Sequence, residues 1–263
     1  MIDPSRDLGI RVAPSLLKGD QLQIAAVAFD LDGTLVDSAP DIGQALNSAL
    51  ARAGLCRFDL GAIRAWVGDG PDALIDRALA KQGAVGADGS LHSRIRSDFD
   101  AATLAAPIDL GRVYPGIREM LESLHDWVPM AVVTNKPTHL ACAVLEAAGL
   151  LEFMQTVSGA DRPELRKPRP AMLLITGERL GVAPSRLLMV GDGPADIVSA
   201  EAAGCPAALV AWGYASAAVP AGASVLRVAT PAELLASVRQ SARPRLQIPS
   251  PRRPTCPPAE SPT

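Results

Sequence analysis

Apolar residues along the chain follow two rhythms. Short unbroken runs at 24–29, 130–133, 187–190 and 207–210 predict strands buried on both faces, with weaker candidates at 155–158 and 225–228. Between these runs the apolar positions recur every three or four residues. Ile42, Ala45, Leu46, Ala49, Leu50 and Ala53 share one helix face, with Gly54 placed as a C-cap. Ile117, Met120, Leu121 and Leu124 share another after the Pro115-Gly116 turn. Further helices are expected over 138–148, stopped by Gly149, over 171–180, up to Ala203 before Gly204, and from Pro231 onward. Strands alternating with helices predict an α/β fold, a doubly wound parallel sheet whose ligand site lies beyond the carboxyl ends of its strands.

The alternation lapses between residues 59 and 105. That stretch holds three helix-like blocks, 60–67, 71–82 and 90–104, parted by Gly-rich breaks at 68–70 and 83–89, and no convincing strand. The expected organisation is a core over 22–38 and 113–241, interrupted at 39–112 by a small helical domain, with residues 36–40 leading the chain out of the core. Residues 1–21 lack sustained periodicity and read as a poorly ordered leader. Residues 242–263 contain seven prolines and little that could form a core, which predicts a disordered Pro/Arg-rich tail. The functional alternative for that tail is a docking segment for a Pro-recognising or anionic protein partner.

Composition narrows the function classes. A chain of 263 residues, 48% of them hydrophobic, can bury a sizeable core. No apolar run is long enough to span a bilayer, and the N-terminus lacks a basic segment followed by an apolar core and a cleavage site. A cytoplasmic protein with no membrane partner is expected. The net charge is −3, and the four Arg and one Glu of the tail leave the remainder at −6, which argues against nucleic acid as a partner. Four cysteines without a CxxC pair and three scattered histidines argue against zinc. Any metal is expected to be held by oxygens.

The run at 24–29 ends in Asp30, and Asp32 follows two residues later, with Gly33 and Thr34 turning the chain. Two acids at the mouth of a buried strand repel each other and cost desolvation energy, so they make sense beside a cation or a phosphoryl group. Downstream, Thr134 ends the second strong run, Lys167 precedes a helix, and Asp192 and Asp196 follow the run at 187–190. Each alone has an ordinary explanation, such as a helix cap, a turn or a solvated charge. Their order carries the signal.

That order, carried by IAAVAFDLDGTLVDS, Thr134, Lys167-Pro168 and GDGPAD, resembles the haloacid dehalogenase superfamily of phosphotransferases. The resemblance implies a Rossmann-like core with a helical cap inserted after the first strand. It also implies Mg2+ held by Asp30, Asp192 and the backbone carbonyl of Asp32, with Asp30 as the nucleophile that forms an aspartyl-phosphate and Asp32 as the general acid/base. Thr134, Asn135 and turn amides near Leu31 and Asp32 are then expected to bind phosphoryl oxygens, and Lys167 to neutralise charge in the transition state. Asp196 is expected to orient Lys167 or a metal-bound water.

Within the superfamily, AFDLDGTLVDSAPD, WVGDGPDALIDRAL, VYPGIREML, VVTNKPT and AAGCP are similar to phosphoglycolate phosphatases over about 24–235. This implies a small phosphorylated carboxylic acid as substrate, puts Lys136 beside the phosphate site, and suggests that the loop at 66–72 meets the carboxylate end through backbone amides. Asp32 counts against a dehalogenase. The one lysine of the insert, Lys81, counts against a phosphonate hydrolase that works through a Schiff base. A broader sugar-phosphate phosphatase, a phosphoglucomutase-like mutase, and a non-catalytic protein that binds partners through its tail stay open. Besides the tail, the chain departs from the family at Arg169, between the prolines of the lysine motif, and at Gly193 and Pro194 in the acidic loop. Both of these departures are expected to lie close enough to shift substrate preference.

Overall fold

The computed structural model describes residues 23–84, 89–221 and 225–242. The expected leader at 1–21, and all but the first residue of the expected tail at 242–263, lie outside the described residues. Eight strands are present among them: β1 (Ala26–Phe29), β2 (Val36–Asp37), β3 (Arg112–Val113), β4 (Met130–Thr134), β5 (Thr156–Gly159), β6 (Leu187–Gly191), β7 (Ala207–Val210) and β8 (Leu226–Val228). Six form a parallel sheet in the order β5-β4-β1-β6-β7-β8. β1 pairs with β4 on one side and β6 on the other, as in Val27 opposite both Met130 and Leu188. Later strands are laid outward from β1 in two directions, so the crevice lies at the carboxyl ends of β1, β4 and β6.

The unbroken apolar runs reflect burial on two sides. Val27, Phe29, Val132 and Val190 face one cluster, packed by Ile117, Met120 and Leu121 of α5 (Ile117–His125), Val144 and Leu145 of α6 (Thr138–Ala147), and Leu234 and Val238 of α9 (Pro231–Ser241). Their neighbours Ala26, Ala28, Val133 and Met189 face the opposite cluster, with Met172 and Leu173 of α7 (Ala171–Leu180) and Ala200 and Ala203 of α8 (Pro194–Ala203). Side chains alternate across a strand, so one run must satisfy both layers. Each large aliphatic side chain fully buried this way contributes about 1.5–3 kcal/mol.

Four helices lie between β2 and β3: α1 (Ala39–Arg52), followed by α2 (Leu60–Arg64), α3 (Pro71–Lys81) and α4 (Ser90–Ala105) where the alternation lapses. Gly54 at φ +74° closes α1, and the Asp59 side chain starts α2 by accepting from Ala62 N at 2.8 Å. Leu46, Leu50, Ile63, Ile75, Ile95 and Phe99 form a separate apolar cluster, joined from the core, among the described residues, by Leu140 of α6.

One expectation is corrected. Residues 36–40 do not simply leave the core: Val36 is fully buried in the same cluster as Phe29, and β2 pairs antiparallel with β3. A strand of two residues shows no periodicity, and its partner lies 75 positions away. The chain therefore enters and leaves the helical stretch through adjacent strands. Asp41 ties the return to α1, its carboxylate accepting from Asp109 N, Leu110 N and Gly111 N at 2.8–2.9 Å. Among the described residues no helix is long and apolar enough to cross a membrane.

Candidate active site

β1 ends one residue before Asp30, and β6 ends one residue before Asp192. Because these strands are neighbours in register, the two carboxylates emerge side by side. Asp196 joins them from the first turn of α8, and single oxygens of Asp30, Asp192 and Asp196 lie within 4.8 Å of one another. All three are buried. Gly33, at φ +87°, makes this approach possible, since a Cβ there would sit 2.7 Å from Asp192 Oδ2.

Lys167 is the cation inside this cluster and is itself only 2% exposed. Its ammonium lies 2.9 Å from Asp30 Oδ1, 2.6 Å from Asp196 Oδ1 and 3.0 Å from the Val133 carbonyl oxygen, which uses all three of its protons. The Lys167–Pro168 peptide is cis. One ammonium against three carboxylates leaves the cluster short of positive charge. Burial, reinforced by Asp196 and Asp192, raises Asp30 to about 7 despite Lys167, and burial with Asp196 raises Asp192 to about 6. Three crowded oxygen donors, two of them resisting ionisation, suit a hard divalent cation such as Mg2+.

Asp192 is oriented by its surroundings. Its Oδ2 accepts from Tyr214 N at 2.7 Å and Ala215 N at 3.2 Å, and Oδ1 accepts from Thr34 Oγ1 at 3.3 Å. Asp196 reaches back to accept from Gly193 N at 3.1 Å, which leaves its other oxygen for Lys167.

Asp32 sits apart from this cluster in its own setting. Ser38 Oγ donates to it at 2.5 Å, and Lys136 Nζ donates to its two oxygens at 2.9 and 3.0 Å. Lys136 is 5% exposed and is therefore not a surface lysine. Thr134 is buried at the end of β4, where its hydroxyl accepts from Lys136 N at 3.2 Å. Leu31 points its side chain into the core, so only its backbone can face a ligand. The Asn135 carboxamide is occupied: it donates to the carbonyls of Gly68 and Lys167 at 2.9 and 3.2 Å and accepts from Lys167 N at 2.8 Å. Of Asn135, this leaves the main-chain N–H for a phosphoryl oxygen.

The pocket over Asp30 and Asp32 is walled by Thr134, Asn135 and Lys136 on one side and by Ile42, Val67, Leu74, Phe99 and Leu140 on the other. Gly70 meets the core closely at φ +85°, where a Cβ would lie 2.7 Å from the Asn135 carbonyl oxygen. A second contact between helical stretch and core runs through Asp72, bonded to Arg96 at 2.5 Å and to Arg166 at 3.2 Å. Tyr214, whose hydroxyl donates to Asp37 at 2.8 Å, joins the Asp192 loop to β2. Ser38, Arg166 and Tyr214 are absent from the residues singled out by sequence, and Asp72 entered only as the end of the loop at 66–72. Ser38 stood inside the quoted motif, but nothing in its spacing pointed it at Asp32. Asp72 and Arg166 are 94 positions apart, and Tyr214 and Asp37 are 177 apart.

Of the departures, Arg169 is exposed, donates to the Pro163 carbonyl at 3.1 Å, and does not line the pocket. Its expected closeness to the substrate is corrected: the side chain turns outward. Gly193 and Pro194 open α8 beside Asp192 and are not among the residues that line the pocket.

Residues 24–204 match the family model of haloacid dehalogenase-like hydrolases. A phosphoglycolate phosphatase of Chromobacterium violaceum is 40% identical over 195 residues, spanning 74% of this chain and 88% of the relative. One from Photorhabdus laumondii is 37% identical over 205 residues, 77% of this chain and 85% of the relative. The crystal structure of a predicted phosphoglycolate phosphatase from Haemophilus somnus superposes with a TM-score of 0.74 at 31% identity, covering 81% of this chain and 97% of that one.

Proposed function

The chain belongs to the haloacid dehalogenase-like hydrolases and is a phosphoric monoester hydrolase, and from that premise we propose that it hydrolyses a small phosphorylated carboxylic acid, foremost 2-phosphoglycolate, to the alcohol and phosphate. The observation that carries this reading is the buried group of Asp30, Asp192 and Asp196 around Lys167 at the junction of β1 and β6. The names of the relatives supply the substrate.

Mg2+ is the fitting ion, with Asp30, Asp192 and the Asp32 carbonyl as its holders; when bound it offsets the repulsion between a carboxylate and a phosphate anion. The protein's own groups do the rest. An oxygen of Asp30 forms the new O–P bond as the ester O–P bond breaks, giving an aspartyl-phosphate. Asp32 hands a proton to the departing alkoxide, then takes one from the water that cleaves the acyl phosphate and regenerates Asp30. Lys167 balances charge on Asp30 throughout, held in place by Asp196. The hydroxyl of Thr134 and main-chain N–H groups at Leu31, Asp32 and Asn135 receive the phosphoryl oxygens.

The test is phosphate release from a panel of monoesters with and without Mg2+. The expected result is metal-dependent turnover with phosphoglycolate as the best substrate. Isomer formation in place of phosphate would mark a mutase, and best turnover on hexose phosphates would replace the substrate assignment.

A further inference from the structure

We infer that Lys136 is the residue that recognises the carboxylate of the substrate; this rests on the reading of the site as a phosphatase for a small phosphorylated acid.

Among the residues that line the pocket, Lys136 is the one cation. Lys167 has none of its three protons to spare, since Asp30, Asp196 and the Val133 carbonyl take them. Lys136 gives its protons to a single carboxylate, Asp32, at 2.9 and 3.0 Å, which leaves a third N–H and a compact charge in contact with the pocket. The other side of the cavity is Ile42, Val67, Leu74, Phe99 and Leu140. A substrate carboxylate set among those side chains without a partner would pay the full penalty of an unpaired buried charge.

Reach favours short substrates. Asp32 works on the ester oxygen, so that oxygen sits within one hydrogen bond of it. In phosphoglycolate the carboxylate is attached to the carbon that carries the ester oxygen. An ammonium already bonded to Asp32 is therefore within reach of both groups. A carboxylate several carbons further out would be carried past Lys136 into the apolar wall. Lys136 thus sets the distance between phosphate and carboxylate that the site accepts, a task the sequence had suggested for backbone amides of the loop at 66–72.

The experiment compares phosphoglycolate with ethyl phosphate, which has the same chain length and no charge on the leaving group, in the parent and in Lys136→Gln and Lys136→Arg. The parent is expected to prefer phosphoglycolate. Lys136→Gln should reduce that preference in kcat/KM by about 10- to 100-fold, the range of one charge-assisted hydrogen bond, mainly through the KM of phosphoglycolate. Lys136→Arg should keep most of the preference. If Lys136→Gln slows both esters by the same factor, the lysine only positions Asp32 and the inference is overturned. A measurement on the parent covers a variant that does not fold: glycolate should inhibit at least about tenfold more tightly than neutral glycolamide, and equal inhibition overturns the inference. A parent that shows no preference for phosphoglycolate overturns the substrate reading itself.

Discussion

The sheet edge and the helical stretch contribute to the same pocket in opposite currencies of chemistry. At the sheet edge Asp30, Asp192, Asp196, Lys167, Asp32 and Lys136 are all buried; Lys167 meets Asp30 and Asp196, and Lys136 meets Asp32, at hydrogen-bond distance, while Asp192 is held by the N–H groups of Tyr214 and Ala215. The helical stretch brings Ile42, Val67, Leu74 and Phe99 into the pocket, and its contacts with the core include Leu140, the Gly68 carbonyl, Gly70 and the partly exposed Asp72 carboxylate. Crowded charges tolerate little movement, because their energy changes steeply with distance in a dry interior. They belong on strands locked by two neighbours, whereas an apolar wall can shift without losing its partners.

Asp30→Asn should break this division most visibly. Turnover is expected to fall on the order of 10⁴-fold or more, with no phosphate trapped on the protein after a rapid quench. Retention of a rate near the parent's would remove Asp30 from the reaction. Lys167→Met comes next. It strands three buried carboxylates, so a loss of about 10²- to 10³-fold in kcat should be accompanied by a lower unfolding midpoint in metal-free protein. Loss of activity with unchanged stability would mean that the cluster is not balanced by this lysine.

The third effect is a pH dependence of stability. Asp30 and Asp192, at about 7 and about 6 in the fold, hold protons that the unfolded chain releases near 3.8. The stability they contribute is complete below that lower value and is lost as pH rises through the two folded values. The melting temperature of metal-free protein should therefore fall between about pH 4 and about pH 7, and saturating Mg2+ should flatten or reverse the trend, because it selects the ionised form. A metal-free midpoint indifferent to pH would contradict the burial of these charges.

The smallest effect belongs to the helical stretch. Asp72 and Arg166 are more than a third and nearly a third exposed at their side chains, 39% and 31%, so solvent screens their ion pair. Asp72→Asn should alter KM by less than about fivefold and leave kcat close to the parent's. A drop in kcat comparable with that of Lys167→Met would show that the helices help to hold the charges, and the contrast would fail.

The two regions also differed in how well the chain revealed them. Strands β1, β4, β6 and β7 were legible because burial on two faces leaves an unbroken apolar run, and helices α1, α5, α6 and α8 because Gly54, Gly116, Gly149 and Gly204 frame them. The acids were legible because Asp30 and Asp192 stand at the ends of such runs, with Asp32 and Asp196 close behind. What stayed hidden depends on long-range geometry. The β2–β3 pair is too short to show a rhythm. Nor could spacing reveal that Lys136 bonds Asp32 across 104 positions, or that the Asn135 carboxamide is consumed by Gly68 and Lys167 instead of facing the pocket. The resemblance put Lys136 beside the phosphate site, but its burial and its bond to Asp32 show only in the fold.

The antiparallel pairing of Val36–Asp37 with Arg112–Val113 has a wider meaning. Neighbouring strands lie only about 5 Å apart, so everything between them is spliced into the host at what amounts to a single point. Lengthening, shortening or exchanging that cassette leaves the host's closure geometry unaltered, and the entropic cost of a longer loop grows only slowly. A catalytic scaffold built this way can acquire new substrate preferences by transplanting one contiguous piece of gene, without disturbing the residues that perform the reaction.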